Sequence, residues 1–170
     1  HADGPVPDVA ACAAAIRDAL ARHAPAWRPR LVAEPGRALV AEAGVLRAEV
    51  VLVAERAGRR WVYLDVGRYQ GLAETEGEMI VYRLRTPGRD GPTGPVVVAG
   101  PTCDGDDVLY RHADVRLPLD LAAGDVVEFL GAGAYTASYA SVGFNGLPPL
   151  STRVRHPGEG QQDDPQEGGQ

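Results

Sequence analysis

From Gly44 onward the chain breaks into short β-rich runs separated by glycine- and proline-bearing links, and this punctuation restricts its fold more than any other feature. Val50 to Arg56 and Arg59 to Val66 carry β-branched and aromatic residues, and the short Ala57-Gly58 link between them reads as a hairpin turn. Met79 to Leu84, Pro95 to Ala99, Asp125 to Leu130 and Ser151 to Arg155 continue the series. Several short strands in succession predict an antiparallel barrel or sandwich over residues 45–155.

The first 44 residues read differently. Asp8 is a natural N-cap for the run VAACAAAIRDALARH, in which Cys12, Ile16 and Leu20 recur at helical spacing before Pro25 and Pro29 end it. Cys12 is expected as a small buried hydrophobe on that helix. Arg30-Leu31-Val32-Ala33 then reads as a short strand ending abruptly in Glu34-Pro35-Gly36-Arg37. A helix leading into a strand with polar residues at its C-terminal end is the repeating unit of a parallel α/β barrel. Residues 1–44 are therefore expected to be the last helix–strand units of such a barrel. Residues 156–170, HPGEGQQDDPQEGGQ, are polar, glycine-rich and free of aromatics, and are expected to be disordered.

Composition excludes several classes. Net charge is −6 and no basic cluster interleaves with aromatics, which argues against a nucleic-acid surface. No apolar run approaches the ~20 residues needed to cross a bilayer, and no signal peptide is visible, so a soluble, cytoplasmic protein is expected. Two cysteines, Cys12 and Cys103, make no disulfide framework. None of His1, His23, His112 and His156 falls at metal-ligand spacing, and no metal is expected. All 17 basic residues are arginine, and there is no lysine. The chain opens at His1 and its one methionine is Met79, so it is expected to be the C-terminal piece of something longer.

Two motifs carry chemistry. In Glu34-Pro35-Gly36-Arg37, Gly36 lets backbone N–H groups approach an anion, Arg37 can grip that anion through two parallel hydrogen bonds, and Glu34 can pair with a cationic ring nitrogen. A small ligand with a phosphate and a pyridinium would use all three. In GPTCDGDD, Gly100 to Asp107, a thiol and a carboxylate stand side by side between turn-formers. A thiol is mostly protonated at neutral pH and so can donate a proton, while Asp104 can hold an ammonium by a charge-assisted bond. The simpler reading is a turn in which Asp104 accepts from its own backbone.

These motifs occur in a set. EPGR (Glu34 to Arg37), VGRYQGLAET (Val66 to Thr75), GPTCDG (Gly100 to Gly105), GAYT (Gly133 to Thr136) and FNG (Phe144 to Gly146) resemble, in this order, the C-terminal half of fold-type III pyridoxal-phosphate-dependent decarboxylases. The likeness runs from about Pro5 to Arg155 and is greatest to the ornithine/lysine decarboxylase group. It implies the end of an α/β (TIM-like, alanine-racemase-type) barrel followed by an all-β C-terminal domain, with pyridoxal 5′-phosphate as cofactor. Glu34 matches the partner of the pyridine nitrogen; Gly36, Arg37 and Tyr135 match phosphate contacts. The Cys103-Asp104 pair matches one that reaches across a homodimer interface into the partner's active site. There the cysteine governs where the carbanion is reprotonated, and the aspartate binds the distal amine of the amino-acid substrate.

Sister enzymes acting on diaminopimelate typically carry Cys-Glu-Ser where this chain has Cys103-Asp104-Gly105, so the resemblance points to ornithine or lysine. Glu78 aligns with a further amine contact, although Glu74 or Glu76 could take that place, and Phe144 matches an aromatic beside the substrate. Asp106 and Asp107 read as a solvated face. The family holds its cofactor as a Schiff base on a lysine, so a lysine-bearing N-terminal chain or segment must complete the enzyme. A non-catalytic, antizyme-inhibitor-like homologue and a decarboxylase of another amino acid, such as diaminopimelate, are the alternative readings.

Overall fold

The structure, a computed structural model, describes residues 7–27 and 29–156. Helix α1 (Val9–His23) starts where Asp8 accepts a 2.7 Å hydrogen bond from Ala11 N, the expected cap. It buries no residue: Val9 and Ile16 are exposed, and so is Cys12, against expectation. Residues 30–33 form no strand, and Leu31 and Val32 are exposed. A parallel strand needs neighbours to take its N–H and C=O groups, and none lies alongside among the described residues. A single turn, α2 (Arg37–Val40), and the 3₁₀ turn Ala41–Ala43 then lead to Gly44 and the sheet.

The sheet domain is built on one long strand, β1 (Val45–Arg56), whose two halves have different partners. Its first half pairs with β8 (Val126–Leu130) and its second with β2 (Arg59–Leu64), both antiparallel. Leu46, Ala48 and Val50 face the core in strict alternation. A bulge between Val50 and Leu52 then shifts the phase, leaving Val51 and Leu52 exposed and turning Val53 inward. The bulge lets a single strand bend from one half of the sheet into the other. As expected, Ala57 and Gly58 join β1 to β2, both with positive φ (50° and 70°), the conformation of a tight hairpin turn.

Six more strands are short: β3 (Arg83–Arg85), β4 (Thr93–Pro95), β5 (Val97–Ala99), β6 (Val108–Tyr110), β7 (Arg116–Pro118) and β8. The six-stranded sheet runs β3-β8-β1-β2-β5-β6, and β4 pairs with β7 in a small second sheet. The fold is mostly antiparallel, as expected, with one parallel pair, β2 and β5, that the expected antiparallel barrel or sandwich did not include. The long excursion between them, through β3 and β4, makes that crossover possible. Met79 to Tyr82 and Ser151 to Arg155 are irregular rather than strand, whereas β4, β6 and β7 arise from runs too short to be read as strands in advance.

The core is Val62, Leu64, Leu72, Val98, Leu109, Tyr110, Val127 and Phe129 around the β1 alternation, with Tyr82 edge-on to Phe129. Tyr110, driven into this core, accepts from Tyr82 N (3.0 Å) and donates to Ile80 O (3.3 Å). Burial pushes its phenol well above the usual range. These two bonds replace the ladder that residues 80–82 lack. On the opposite face Glu128 stands between Arg85 and Arg47, its register neighbours on β3 and β1. Among the described residues no helix is long and apolar enough to cross a membrane. His156 is described and exposed; the rest of the segment expected to be disordered lies outside the described residues.

Candidate active site

Three of the motif residues meet where the N-terminal segment touches the sheet. The chain leaving β8 passes so close to residues 40–44 that no side chain fits: a Cβ on Gly133 would lie 1.8 Å from the Val40 carbonyl oxygen, and one on Gly44 would lie 2.3 Å from Gly133 Cα. Hydrogen bonds from Ala132 N to Gly44 O and from Gly133 N to Ala41 O, both 2.9 Å, lock the contact. Tyr135, in the left-handed region at φ 55°, is thereby carried over α2. Its hydroxyl would be 3.3 Å from a Cβ on Gly36, and its ring lies 5.4 Å from Arg37 Cζ.

Arg37 is fixed by a third element. Its Nη2 pairs with the Glu74 carboxylate from the 3₁₀ segment Ala73–Glu78. The hydrogen bond that Arg37 donates to Glu74 raises the guanidinium pKa above its usual value, against the opposing effect of burial. Nη1 is buried, and the Tyr82 hydroxyl stands beside the guanidinium as a further hydrogen-bonding group. The charged N–H groups that Glu74 does not take are suited to an anion. Glu34 is exposed two residues before Gly36.

A second cluster assembles around GPTCDG. Cys103 is exposed and held at φ 60°. Asp104 Oδ1 accepts from Asp106 N at 2.8 Å, so the simple turn reading holds as geometry while fixing the carboxylate in place. Phe144 stacks on Tyr69 with centroids 4.1 Å apart, and Asn145 Nδ2 donates to Thr102 O at 2.8 Å. Desolvation, with the Asp104 carboxylate beside it, raises the Tyr69 phenol. VGRYQG, GPTCDG and FNG thus form one surface.

Glu78 belongs to neither cluster. Its Oε1 accepts from Arg111 N and His112 N, each at 2.6 Å. Desolvation pushes its pKa up, but backbone N–H groups of His112, Arg111 and Ala113 outweigh it and hold the carboxylate below its usual range.

The sequence reading misplaced Asp107. It is not on a solvated face but 1% exposed, accepting from Arg68 N (2.8 Å), Thr102 N (3.1 Å) and Thr102 Oγ1 (2.7 Å). Its donors come from two separate loops, which no local pattern reveals. Glu74 as the partner of Arg37 was missed for the same reason. Backbone strain marks both clusters: of five non-glycine residues with positive φ among those described, Cys103 and Asn145 lie in one and Tyr135 in the other, while Ala57 belongs to the hairpin turn and Glu78 to neither. Such strain persists where the surroundings overdetermine it, typically at functional sites.

Comparison with known proteins gives this geometry a context. Residues 10–133 match the model of the pyridoxal-dependent decarboxylase C-terminal sheet domain. Diaminopimelate decarboxylase of Actinosynnema pretiosum subsp. auranticum is 38% identical over 127 residues, 72% of this chain and 28% of that protein. The crystal structure of lysine decarboxylase from Selenomonas ruminantium superposes with a TM-score of 0.71 at 34% identity, covering 87% of this chain and 37% of that one. That of diaminopimelate decarboxylase from M. jannaschii in complex with L-lysine gives 0.73 at 28% identity, covering 85% and 32%. This chain thus spans about a third of the length of the relatives it matches. On the matched residues 10–133 it belongs to the pyridoxal-dependent decarboxylases, through their C-terminal sheet domain.

Proposed function

We propose that this chain is the C-terminal part of a pyridoxal-phosphate-dependent decarboxylase converting ornithine or lysine to a diamine and CO2. Residues 1–44 would close the cofactor-binding barrel and residues 45–155 would form the sheet domain. The observation that carries the reading is the convergence of Gly36, Arg37 and Tyr135 on one spot. A phosphate fits this donor set: Gly36 leaves room, Arg37 offers a charged N–H and Tyr135 a hydroxyl.

Bound there, the cofactor supplies the electron sink that lets the bond between the substrate's Cα and its carboxylate break. The chain's own residues do the rest. Arg37, Tyr135 and the backbone at Gly36 would anchor the phosphate, and Glu34 would keep the ring nitrogen protonated. Asp104 would hold the substrate's distal ammonium, with Phe144 beside it, whereas Glu78, bound to the Arg111 and His112 backbone, takes no part in this arrangement. Cys103 Sγ would deliver the proton that replaces CO2. The Cys103-Asp104 surface is exposed, consistent with its serving the partner site of a homodimer. The chain has no lysine, so the residue that bonds the cofactor would come from outside these 170 residues.

A second reading, decarboxylation of diaminopimelate, draws on the relatives, several of which are diaminopimelate decarboxylases. Asp104-Gly105 favours the basic amino acids instead, since the far end of diaminopimelate carries a carboxylate as well as an amine, and beside Asp104 that second negative charge would be repelled and left without a partner. In the full-length protein, Asp104→Ala should raise KM for ornithine and lysine about tenfold or more, the worth of one hydrogen bond to a charged group. Unchanged KM for both, with diaminopimelate preferred by the parent enzyme, would select the second reading.

A further inference from the structure

Asp107 has no part in the chemistry described above, yet it is the most heavily engaged carboxylate near the site. Its two oxygens take three donors, Arg68 N, Thr102 N and Thr102 Oγ1. Two glycines make room for it: a Cβ on Gly67 would lie 2.2 Å from Asp107 Oδ1, and one on Gly100 would lie 2.3 Å from Oδ2. The chain also closes on itself here, with Gly100 N donating to Asp107 O and Asp107 N to Asp104 O.

Four hydrogen bonds converge on Thr102. Asp107 grips its N–H and its hydroxyl, Asn145 grips its carbonyl, and the Thr102 hydroxyl receives Asp104 N at 3.4 Å. The next residue is Cys103 at φ 60°, a conformation that a non-glycine residue keeps only when its neighbours are held. On the other side Arg68 leads into Tyr69, whose ring stacks on Phe144. The Asp107 carboxylate therefore joins the Tyr69 turn to the Cys103-Asp104 loop.

We propose that Asp107 is the positioning residue of this site: by clamping Thr102 it fixes the left-handed Cys103 and with it the direction of the Asp104 carboxylate. This rests on the decarboxylase reading for its functional half. Asp107 touches neither reacting atoms nor substrate, and acts through Thr102.

The test is Asp107→Asn, which keeps the size that Gly67 and Gly100 demand but sets an N–H₂ against backbone donors. Val127→Ala, a core truncation remote from the loop, controls for lost stability. Two readouts are taken on the full-length protein. Amide hydrogen exchange should accelerate at Arg68 and Thr102 in Asp107→Asn, by about tenfold or more, while Val97 and Val98 keep their protection. The preference for ornithine or lysine over a neutral-tailed analogue should fall by about tenfold or more in Asp107→Asn and stay at the parent value in Val127→Ala. Unchanged exchange at Arg68 and Thr102, or an equal loss of preference in both variants, overturns the proposal. Accelerated exchange in Asp107→Asn, together with a parent protein that decarboxylates nothing, supports the clamp and rejects the functional reading instead.

Discussion

The sheet domain and the segment before it treat the same kinds of residue in opposite ways. In β1, alternate apolar side chains reach a core where Val50, Val62, Leu64, Val127 and Phe129 are fully buried. In α1, at least as regular an element, no residue is buried, and Leu31, Val32 and Leu39 downstream are exposed as well. Local preference suffices to write a capped helix; a core requires partners at long range. The site lies on the boundary. Glu34, Gly36 and Arg37 come from the exposed segment, and it is the sheet, through Gly133, Tyr135 and Glu74, that holds Gly36 and Arg37 in place.

The contrast predicts very unequal responses to substitution. Phe129→Ala, in the core beneath β8, should cost about 3–5 kcal/mol in denaturant unfolding, because the cavity cannot collapse among strands fixed on both sides. A cost within experimental error would mean the core is not where the alternation puts it. Gly133→Ala forces a methyl group onto the Val40 carbonyl and should cost about 1–3 kcal/mol. It should also weaken cofactor retention in the full-length protein, since Tyr135 and Arg37 would part. Loss of stability without loss of cofactor would separate the boundary contact from the site.

Acid should act on the sheet domain first. Arg89, chiefly by its hydrogen bond to Asp125, and the Ala122 N–H hold Asp125 below its ordinary value, and Glu78 is also depressed. Their contribution is present above the usual carboxylate range and is lost as pH falls through the depressed values. Asp125→Asn should therefore flatten the decline of Tm with acid below about pH 4. A decline of the same steepness in the variant would reject Asp125 as a source. The smallest effect belongs to α1: Ile16→Ser should change the stability of this chain by no more than about 0.5 kcal/mol. A larger cost in the full-length protein would show that another element covers the helix there.

What could be read from the sequence follows the same division. The α1 cap, the β1–β2 hairpin and β8 were legible because their signals are local: an aspartate before an apolar helix, a two-residue turn, a short β-rich run. The strand order, the parallel β2–β5 pair and the pairing of Arg37 with Glu74 were not, since each joins residues far apart in the chain. Residues 30–33 read as a strand from composition alone, but the neighbours that would make them one are not among the described residues. Asp107 was misread because carboxylates beside glycines usually face water; only the fold shows that those glycines are the walls of its cradle. The motif resemblance reached further than the pattern, placing Tyr135 next to Gly36 and Arg37 before any geometry did.

The most direct test of the account is a substrate panel on the full-length protein that carries this chain, run with an absorbance scan for bound pyridoxal phosphate. The account predicts retained cofactor and CO2 release from ornithine or lysine, favoured over diaminopimelate by about tenfold or more. Absence of cofactor, or preference for diaminopimelate, would contradict it.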